Sequence, residues 1–548
     1  MKQSLTSLLR NNFGLFALLF VSFLIYVPSL SGDFVVDDTP AIKNNTYIRD
    51  GSHVASFFSK GFWENTALQD KTIAMYRPMV LVLFSLNNGV SGNNPLGYHV
   101  TLLLLHLANI LLVFALIRKL TAGSAIGAII GASFFALHPT RVESVAWLSG
   151  ITDPLVIFFL LASLLAHRIF IENPKGWRYL AVSLLCFQLA LWSKEVAIAF
   201  PLVVVAHDLI YRRKINWPEA FLHAGLVMGY LVARSFALGA SGKPGDLDIS
   251  QFSRAVDFLL GYSQLLVFPA QIPFYIQPPG HPVSSALGWI GAITIILLVG
   301  YSLRNFDQDR RKTLAFSAIW IAVFSWPAIL MMFYMEGFYS ARFLYVPAAG
   351  VAIFLSTLYN HMNAAHPGLK IPVLTSCLLV IALYGFFTWK EIPSWHDNEA
   401  IYGKVARLAP ESASGYSGLA QYYLLREDYA AAEKNFLIVL QKTSAPKVRA
   451  EALVALGTLH GISNDLVQSQ RYLEEAVQIE PNNSDALAGL GNLALMKGQV
   501  NESISYYEKA IAARPGNYEA AMNLAMAYEK IRQTERSELV RRSIPQQR

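Results

Sequence analysis

The chain has 548 residues, of which 54% are hydrophobic and 15% charged, with a mean hydropathy of +0.38. These values exclude a soluble protein and indicate a polytopic membrane protein. The formal charge of +7 sits in short tracts between apolar runs, the pattern of topology signals rather than of a nucleic-acid surface. Cys186 and Cys377 are the two cysteines; both lie in apolar segments and read as core thiols, not as a disulfide or a metal pair.

The first apolar run, 13–30, follows Lys2 and Arg10 and lacks a small-x-small cleavage site, so it reads as an uncleaved signal anchor. Immediately beyond it, in "GDFVVDDTPAIKNN", stand Asp37 and Asp38. Ionisable residues at or near bilayer depth are costly and mark a functional site by default. Two adjacent carboxylates raise one pKa by mutual repulsion, which suits a general base. The structural alternative is a solvated loop start that keeps the first span from sliding.

Further runs near 98–118, 123–139, 154–171, 178–193, 195–211, 219–238, 286–303, 313–332, 343–361 and 370–388 bring the total to about eleven crossings of roughly 30 Å of hydrocarbon. The tracts at Lys2/Arg10, Arg118-Lys119, Arg168/Lys175/Arg178, Arg212-Arg213-Lys214 and Arg310-Arg311-Lys312 all fall on one side if the N-terminus is cytoplasmic. The segment 254–268 and the following "PAQIPFYIQPPGHP" break this alternation if they cross, so they are placed along the outer interface. The Asp37-Asp38 loop, "HPTRVES", "WSKE", "EGFYSARFLYVP" and the C-terminal region then share the extracytoplasmic face.

From about residue 395 the composition turns to Ala, Glu, Lys, Asn, Gln and Tyr, that of a soluble helical domain. The expected organisation is all-α: a membrane domain, 1–392, and an extracytoplasmic repeat domain, 393–548. Gly457 and Gly491, Ala476 and Ala510, and Pro481 and Pro515 are each 34 residues apart, the period of tetratricopeptide repeats. A looser copy follows a short insertion in "GLAQYYLLREDYAAAEKNF", and a partial one in "MNLAMAYEKIRQTERSELV". Such solenoids bind peptides or proteins on a concave face; the alternative is that they only brace the membrane domain.

The elements "FVVDDTPAIKNN", "YRPMVLVLFSLNNGVSGNNPLGYHVTLLLLH", "FALHPTRVESVAW", "LALWSKEVAIAFPL" and "ARFLYVPAAG", followed by repeats, resemble the transmembrane and tetratricopeptide repeat-containing glycosyltransferases. That family is similar in turn to the protein O-mannosyltransferases and other GT-C-fold enzymes. The resemblance implies a polyprenyl-phosphate sugar donor, an acceptor reached from outside, and a catalytic acidic pair in the first external loop, which here is Asp37 and Asp38. By the same analogy Asp37 is the base and Asp38 its positioning partner; the residues themselves leave the two interchangeable. The chain departs from the family at Ala341, where an acid is expected before Arg342, and at "GITDP", which lacks an arginine before Asp153.

The chemistry agrees. Transfer from a lipid phosphate needs a base for the acceptor hydroxyl and cations around the departing phosphate. Arg342, Arg77, Lys194 and His138 are the candidates for the phosphate, Arg342 foremost because a guanidinium grips phosphate bidentately. Glu143, Tyr345 and Glu195 are further candidates at the same span ends. Each has a structural alternative: Arg77 paired with a first-loop acid, His138 bonding a helix-end carbonyl, Glu143 orienting Arg141, Lys194 paired with Glu195. His99 and His106 share one helical face and read as packing residues. No metal or other cofactor is expected, although Asp37 and Asp38 are of a type that can hold a divalent ion.

The expected partners are thus the sugar donor, an acceptor protein or peptide held by the repeats, and membrane lipid, with no nucleic acid. The expected reaction is hexose transfer to a Ser or Thr hydroxyl. The alternatives are a same-fold enzyme acting on a glycolipid or polysaccharide, and a non-enzymatic assembly factor that recruits partners through the repeats. The short repeat array and missing retention signal favour a bacterial inner membrane with periplasmic repeats; in a eukaryote the repeats would be lumenal, in the endoplasmic reticulum.

Overall fold

A computed structural model describes residues 5–64, 66, 74–121, 124–172, 176–239, 255–272, 286–334 and 340–543. Among these the regular structure is entirely helical. The chain forms two compact units, Met1–Ala400 and Ile401–Arg548. The first holds α1 (Leu5–Tyr26), α2 (Pro78–Ser91), α3 (Pro95–Thr121), α4 (Ala125–Leu137), α5 (Val142–Ala146), α6 (Thr152–Glu172), α7 (Trp177–Leu191), α8 (Phe200–His207), α9 (Trp217–Leu238), α10 (Ala255–Val267), α11 (Ala286–Asn305), α12 (Gln308–Tyr334), α13 (Ala348–Ala365) and α14 (Lys370–Glu391). The chain enters the second unit through α15 (Asn398–Leu408).

Every one of the eleven anticipated runs is occupied by helix. Six stretches among the described residues are long and apolar enough to cross a bilayer alone: Phe13–Ser31, Pro95–Thr121, Leu148–Glu172, Trp217–Leu238, Ala286–Asn305 and Pro367–Trp395. A seventh is added if the bent pair Ala125–Leu137 and Pro139–Ala146, at 53°, is one broken span. Of the remaining runs, 178–193 is a 15-residue helix and 195–211 breaks into shorter turns, each too short to span alone, whereas 313–332 lies within the 27-residue α12. Of the interfacial segment anticipated at 254–268, residues 255–267 form α10, thirteen residues long; of the "PAQIPFYIQPPGHP" that follows, residues 273–282 lie outside the described residues.

Close approach of helices explains the glycines of α4. A Cβ on Gly131 would strike the Ala352 carbonyl of α13, and one on Gly127 would strike Asn360. These two glycines are four residues apart, the small-xxx-small spacing that lets membrane helices pack backbone to backbone. The loop between α1 and α2 is not an extended tether. Phe34, Ile42, Phe57 and Trp63 pack with Tyr98 and Leu102 of α3 and Leu155 of α6 in one buried cluster. That burial fixes the loop over the start of α6.

The second unit is built of helix pairs: α16 (Ala413–Leu425) with α17 (Tyr429–Lys442), α18 (Pro446–Ile462) with α19 (Leu466–Ile479), α20 (Ser484–Met496) with α21 (Val500–Ala513), and α22 (Tyr518–Lys530) with α23 (Thr534–Ser543). Gly457 and Gly491 admit the side chains of Leu473 and Tyr507, each of which would lie 2.6 Å from an added Cβ. Leu473 also reaches Gly489 in the next pair, so it joins repeats as well as the helices of one repeat. Asp428, Asp465, Asn483 and Asn517 cap α17, α19, α20 and α22 by accepting backbone N–H bonds. Within each pair the turn passes through a positive φ, at Glu427, Asn464, Gly498 and Arg532. The last three recur at the 34-residue period and the first is offset by three residues, which places the insertion between the turns of the first two pairs.

Candidate active site

The sharp turn after the first span brings its two acids into different environments. Val36, which precedes them, adopts φ 49°, a conformation that a β-branched residue takes only under constraint and that clusters at functional sites. Its N–H donates to Asn398 Oδ1 at 2.9 Å, and Asp33 N–H donates to the His396 carbonyl at 2.8 Å. These bonds hold the turn against the end of α14 and the start of α15.

Asp38 is fully buried. Its Oδ1 accepts from the Ser149 N–H at 2.7 Å and the Ser149 hydroxyl at 2.5 Å, and its Oδ2 accepts from the Val35 N–H at 3.1 Å. Burial pushes its carboxyl up to about 7, outweighing those bonds, with the charge of Asp37 the smallest of the raising effects. The cause is therefore chiefly desolvation, where the sequence suggested mutual repulsion. Asp37 is half-buried and makes no hydrogen bond through its carboxylate among the described residues. Burial raises its pKa and the positive charge of Arg342 opposes the rise.

Arg342 lies in the helical turn Ala341–Leu344 that precedes α13. Its guanidinium carbon sits 4.7 Å from the ring centroid of Trp147, a cation–π contact. Its backbone N–H donates to Glu143 Oε2 at 3.1 Å, and Ser340 Oγ donates to Glu143 Oε1 at 2.5 Å. The Arg342 Nε stands 3.7 Å from Glu143 Oε1 without a hydrogen bond, so among the described residues most of the guanidinium's donor capacity is uncommitted. Ala341, where an acid was expected, is buried in an apolar cluster with Phe258, Leu265 and Leu344. The carboxylate beside the arginine is instead Glu143, delivered by α5.

The other cations are paired. Arg77 grips Glu195 with Nη2 at 2.8 Å and Nε at 3.0 Å, and Lys194 donates to Asp153 at 2.5 Å. The neighbours Lys194 and Glu195 thus bind different partners rather than each other, and Arg77 pairs with Glu195 rather than with a first-loop acid. Lys194 Nζ lies 5.6 Å from the Phe343 ring centroid and feels the charges of Arg342 and Arg77. Asp37, Arg342, Lys194, Arg77, Glu143 and Glu195 therefore form one polar region.

Two anticipated residues lie apart from it. His138 is buried with both ring nitrogens occupied, Nδ1 by the Thr140 hydroxyl at 2.8 Å and Nε2 by the Leu266 carbonyl at 3.2 Å. Tyr345 is fully buried and hydrogen-bonds His106 Nδ1 at 2.7 Å. His99 meets the Gly32 carbonyl at 3.2 Å, so both α3 histidines have packing partners. Ser149, Trp147, Ser340 and Asp153 complete the site. Of these only Asp153 was noticed in the sequence, for its missing arginine; a serine, a tryptophan and a second serine in apolar surroundings carry no local signal. An apolar cavity of about 210 Å³, lined by Phe258, Tyr262, Ile321, Phe343, Leu344 and Pro347, adjoins the Arg342 turn.

A tetratricopeptide-repeat family model matches residues 454–518 and 489–542. A protein O-mannosyl-transferase of Caenorhabditis elegans is 24% identical over 452 residues, covering 77% of this chain and 62% of that protein. A protein O-mannosyl-transferase of Mus musculus is 23% identical over 480 residues, covering 76% of this chain and 65% of that protein. By sequence, this chain is a relative of the protein O-mannosyl-transferases. It spans a little over three-fifths of the length of these two O-mannosyl-transferases. A shorter match, to a protein O-mannosyl-transferase of Drosophila melanogaster, reaches 30% identity over 190 residues, 35% of this chain and 22% of that protein. Among solved structures, the crystal structure of MamA aligns with 26% of this chain and 83% of its own at 21% identity and a TM-score of 0.24.

Proposed function

We propose that the chain is a membrane glycosyltransferase that moves a sugar from a polyprenyl-phosphate carrier to a Ser or Thr hydroxyl of a protein. The observation that carries this reading is that the half-buried carboxylate of Asp37 lies within the electrostatic reach of the Arg342 guanidinium, whose Nε approaches Glu143 without a hydrogen bond among the described residues. The sugar named in the relatives, mannose, is the first candidate.

In this reading Asp37 removes the proton of the acceptor hydroxyl as the oxygen attacks the anomeric carbon. Arg342 holds the phosphate that departs, helped by Lys194 and Arg77. The phosphate competes with Asp153 and Glu195 for those two cations, whereas Arg342 has capacity free. No general acid is required, because the departing polyprenyl phosphate, a phosphate monoester, is weakly basic. Asp38, locked by Ser149, fixes the turn that presents Asp37. The apolar cavity beside Phe343 and Leu344 suits part of an isoprenoid chain, and the tetratricopeptide repeats recruit the acceptor polypeptide.

The proposed orientation places the N-terminus in the cytoplasm, and the acidic loop and the repeats outside it, because the basic tracts then share the inner side. A bacterial inner membrane is the proposed location. Intact-mass analysis of secreted and envelope proteins, with and without the gene, tests the function. A hexose-sized mass on specific proteins that disappears with the gene is the expected result. Unchanged protein masses beside an altered glycolipid or polysaccharide would instead make the acceptor a non-protein one.

A further inference from the structure

Far from the acidic loop, α6 carries a second cluster of titratable side chains. His167 lies fourteen residues after Asp153 on the same helix, or about 21 Å along its axis. It is met by His207 at the end of α8, by Asp208 at the start of the π turn Asp208–Arg212, and by Glu219 in the first turn of α9. All four are buried. None belongs to a ligand motif in the sequence, and nothing in the transfer chemistry uses them.

The hydrogen bonding fixes how these groups face one another. His167 Nδ1 is 2.8 Å from Glu219 Oε1, and since a carboxylate only accepts, Nδ1 carries the proton. The opposite nitrogen, Nε2, is buried without a hydrogen bond and stands 3.4 Å from Asp208 Oδ1. His207 Nδ1 is also buried without a hydrogen bond and stands 3.9 Å from that same oxygen. In a neutral His167 ring, a nitrogen lone pair would face a carboxylate oxygen. Such an arrangement requires a positive charge between them, either a proton on Nε2 or a metal ion.

We infer that His167 Nε2, His207 Nδ1 and Asp208 Oδ1 bind a divalent metal ion of the zinc type. One ligand atom from each of the three residues lies within 4.8 Å of the others, and both ring nitrogens approach the same Asp208 Oδ1. A tetrahedral ion with bonds of about 2.1 Å separates its ligand atoms by about 3.4 Å, which is the His167–Asp208 spacing, and the His207 ring closes the remainder by a small rotation. Two imidazoles and one carboxylate favour zinc, cobalt or nickel over magnesium or calcium, which prefer all-oxygen sites. Glu219 behind His167 is the carboxylate–histidine–metal arrangement that orients a ligand ring and raises its basicity. Asn216 supports both acids, its side chain donating to Glu219 Oε2 at 3.0 Å and its N–H to Asp208 Oδ2 at 2.9 Å.

The basic groups around the cluster adjust to the ion. Arg212 Nη1 lies 3.3 Å from both Asp208 oxygens and keeps Oδ2 when Oδ1 turns to the metal. Arg168 Nη1 lies 3.3 Å from His207 Nε2; in the metal-binding tautomer Nε2 carries the proton, and Arg168 moves to Glu172, already 3.5 Å away. His223, bonded to the Glu219 carbonyl at 2.9 Å, completes the surroundings. An ion here ties α6, α8 and α9 together at the helix ends flanked by the basic tracts.

The test uses the full chain purified in detergent, stripped with chelator, refilled with Co²⁺ and desalted. Elemental analysis should find about one cobalt per chain with the visible absorption of a tetrahedral site. His207→Gln and Asp208→Asn, each checked for monodisperse folding, should lose at least nine-tenths of it. Zinc should displace the cobalt and magnesium should not. The inference fails if wild-type protein retains no more cobalt than a buffer control, which would leave His167 as a protonated bridge between Asp208 and Glu219. It also fails if folded His207→Gln and Asp208→Asn both retain wild-type cobalt. Should either variant misfold, the wild-type retention and its zinc-over-magnesium selectivity decide the matter alone.

Discussion

Ser149 holds Asp38 with two bonds to one oxygen, its N–H at 2.7 Å and its hydroxyl at 2.5 Å. The loop between α1 and α2 is thereby pinned to the turn that precedes α6, and Asp37 is presented at a fixed place. Ser149→Ala keeps the backbone bond and removes the hydroxyl. The expected cost is about 1–2 kcal/mol of stability, with a fall in kcat and a nearly unchanged KM for the acceptor, read by thermal melting and steady-state transfer assays.

Asp38 also makes stability depend on pH. Its folded carboxyl is pushed up to about 7 by burial, while the unfolded value is near 4, so the folded state holds the proton more tightly. The stability it contributes is complete below about pH 4 and is lost as the pH rises through about 7. Melting temperature should therefore decline from about pH 5 to about pH 8, and Asp38→Asn should flatten that slope in a calorimetric or fluorescence series.

Arg342 sets the acid limb of the proposed reaction. Its charge opposes the rise in the Asp37 pKa, so Arg342→Gln should move the low-pH loss of transfer to higher pH as well as weaken donor binding. Arg342→Lys keeps a positive charge but forfeits the planar contact with Trp147. It should raise the KM for the donor about tenfold while leaving the pH profile closer to wild type.

In the repeats, a methyl group on Gly491 meets Tyr507 at 2.6 Å and Gly498 sits at φ 78°. Gly491→Ala should destabilise the repeat unit by about 1–3 kcal/mol through overpacking, and Gly498→Ala by about 1–2 kcal/mol through backbone strain. Urea titration followed by circular dichroism checks both.

The repeats were legible because their packing is local: a 34-residue period of Gly, Ala and Pro states which helix faces touch. The helical runs were legible from apolarity, yet their capacity to span was not. Among the described residues six stretches qualify alone, or seven with the bent pair; 195–211 breaks into short turns around Phe200–His207, and 123–139 ends at His138 before the bend. Partner choice at the site was not legible at all. Lys194 and Glu195 are adjacent in sequence and bind Asp153 and Arg77, a result of long-range packing that no local pattern encodes. The same holds for Ser149, and for the His167–His207–Asp208–Glu219 cluster assembled from three helices and a π turn.

The most direct measurement of the account is sugar transfer by Asp37→Asn at matched membrane level. Removing the base should lower turnover about 10²–10⁴-fold, with thermal stability and donor binding unchanged, because the Asp37 carboxylate makes no hydrogen bond among the described residues. Transfer by a folded Asp37→Asn protein at the wild-type rate would contradict it.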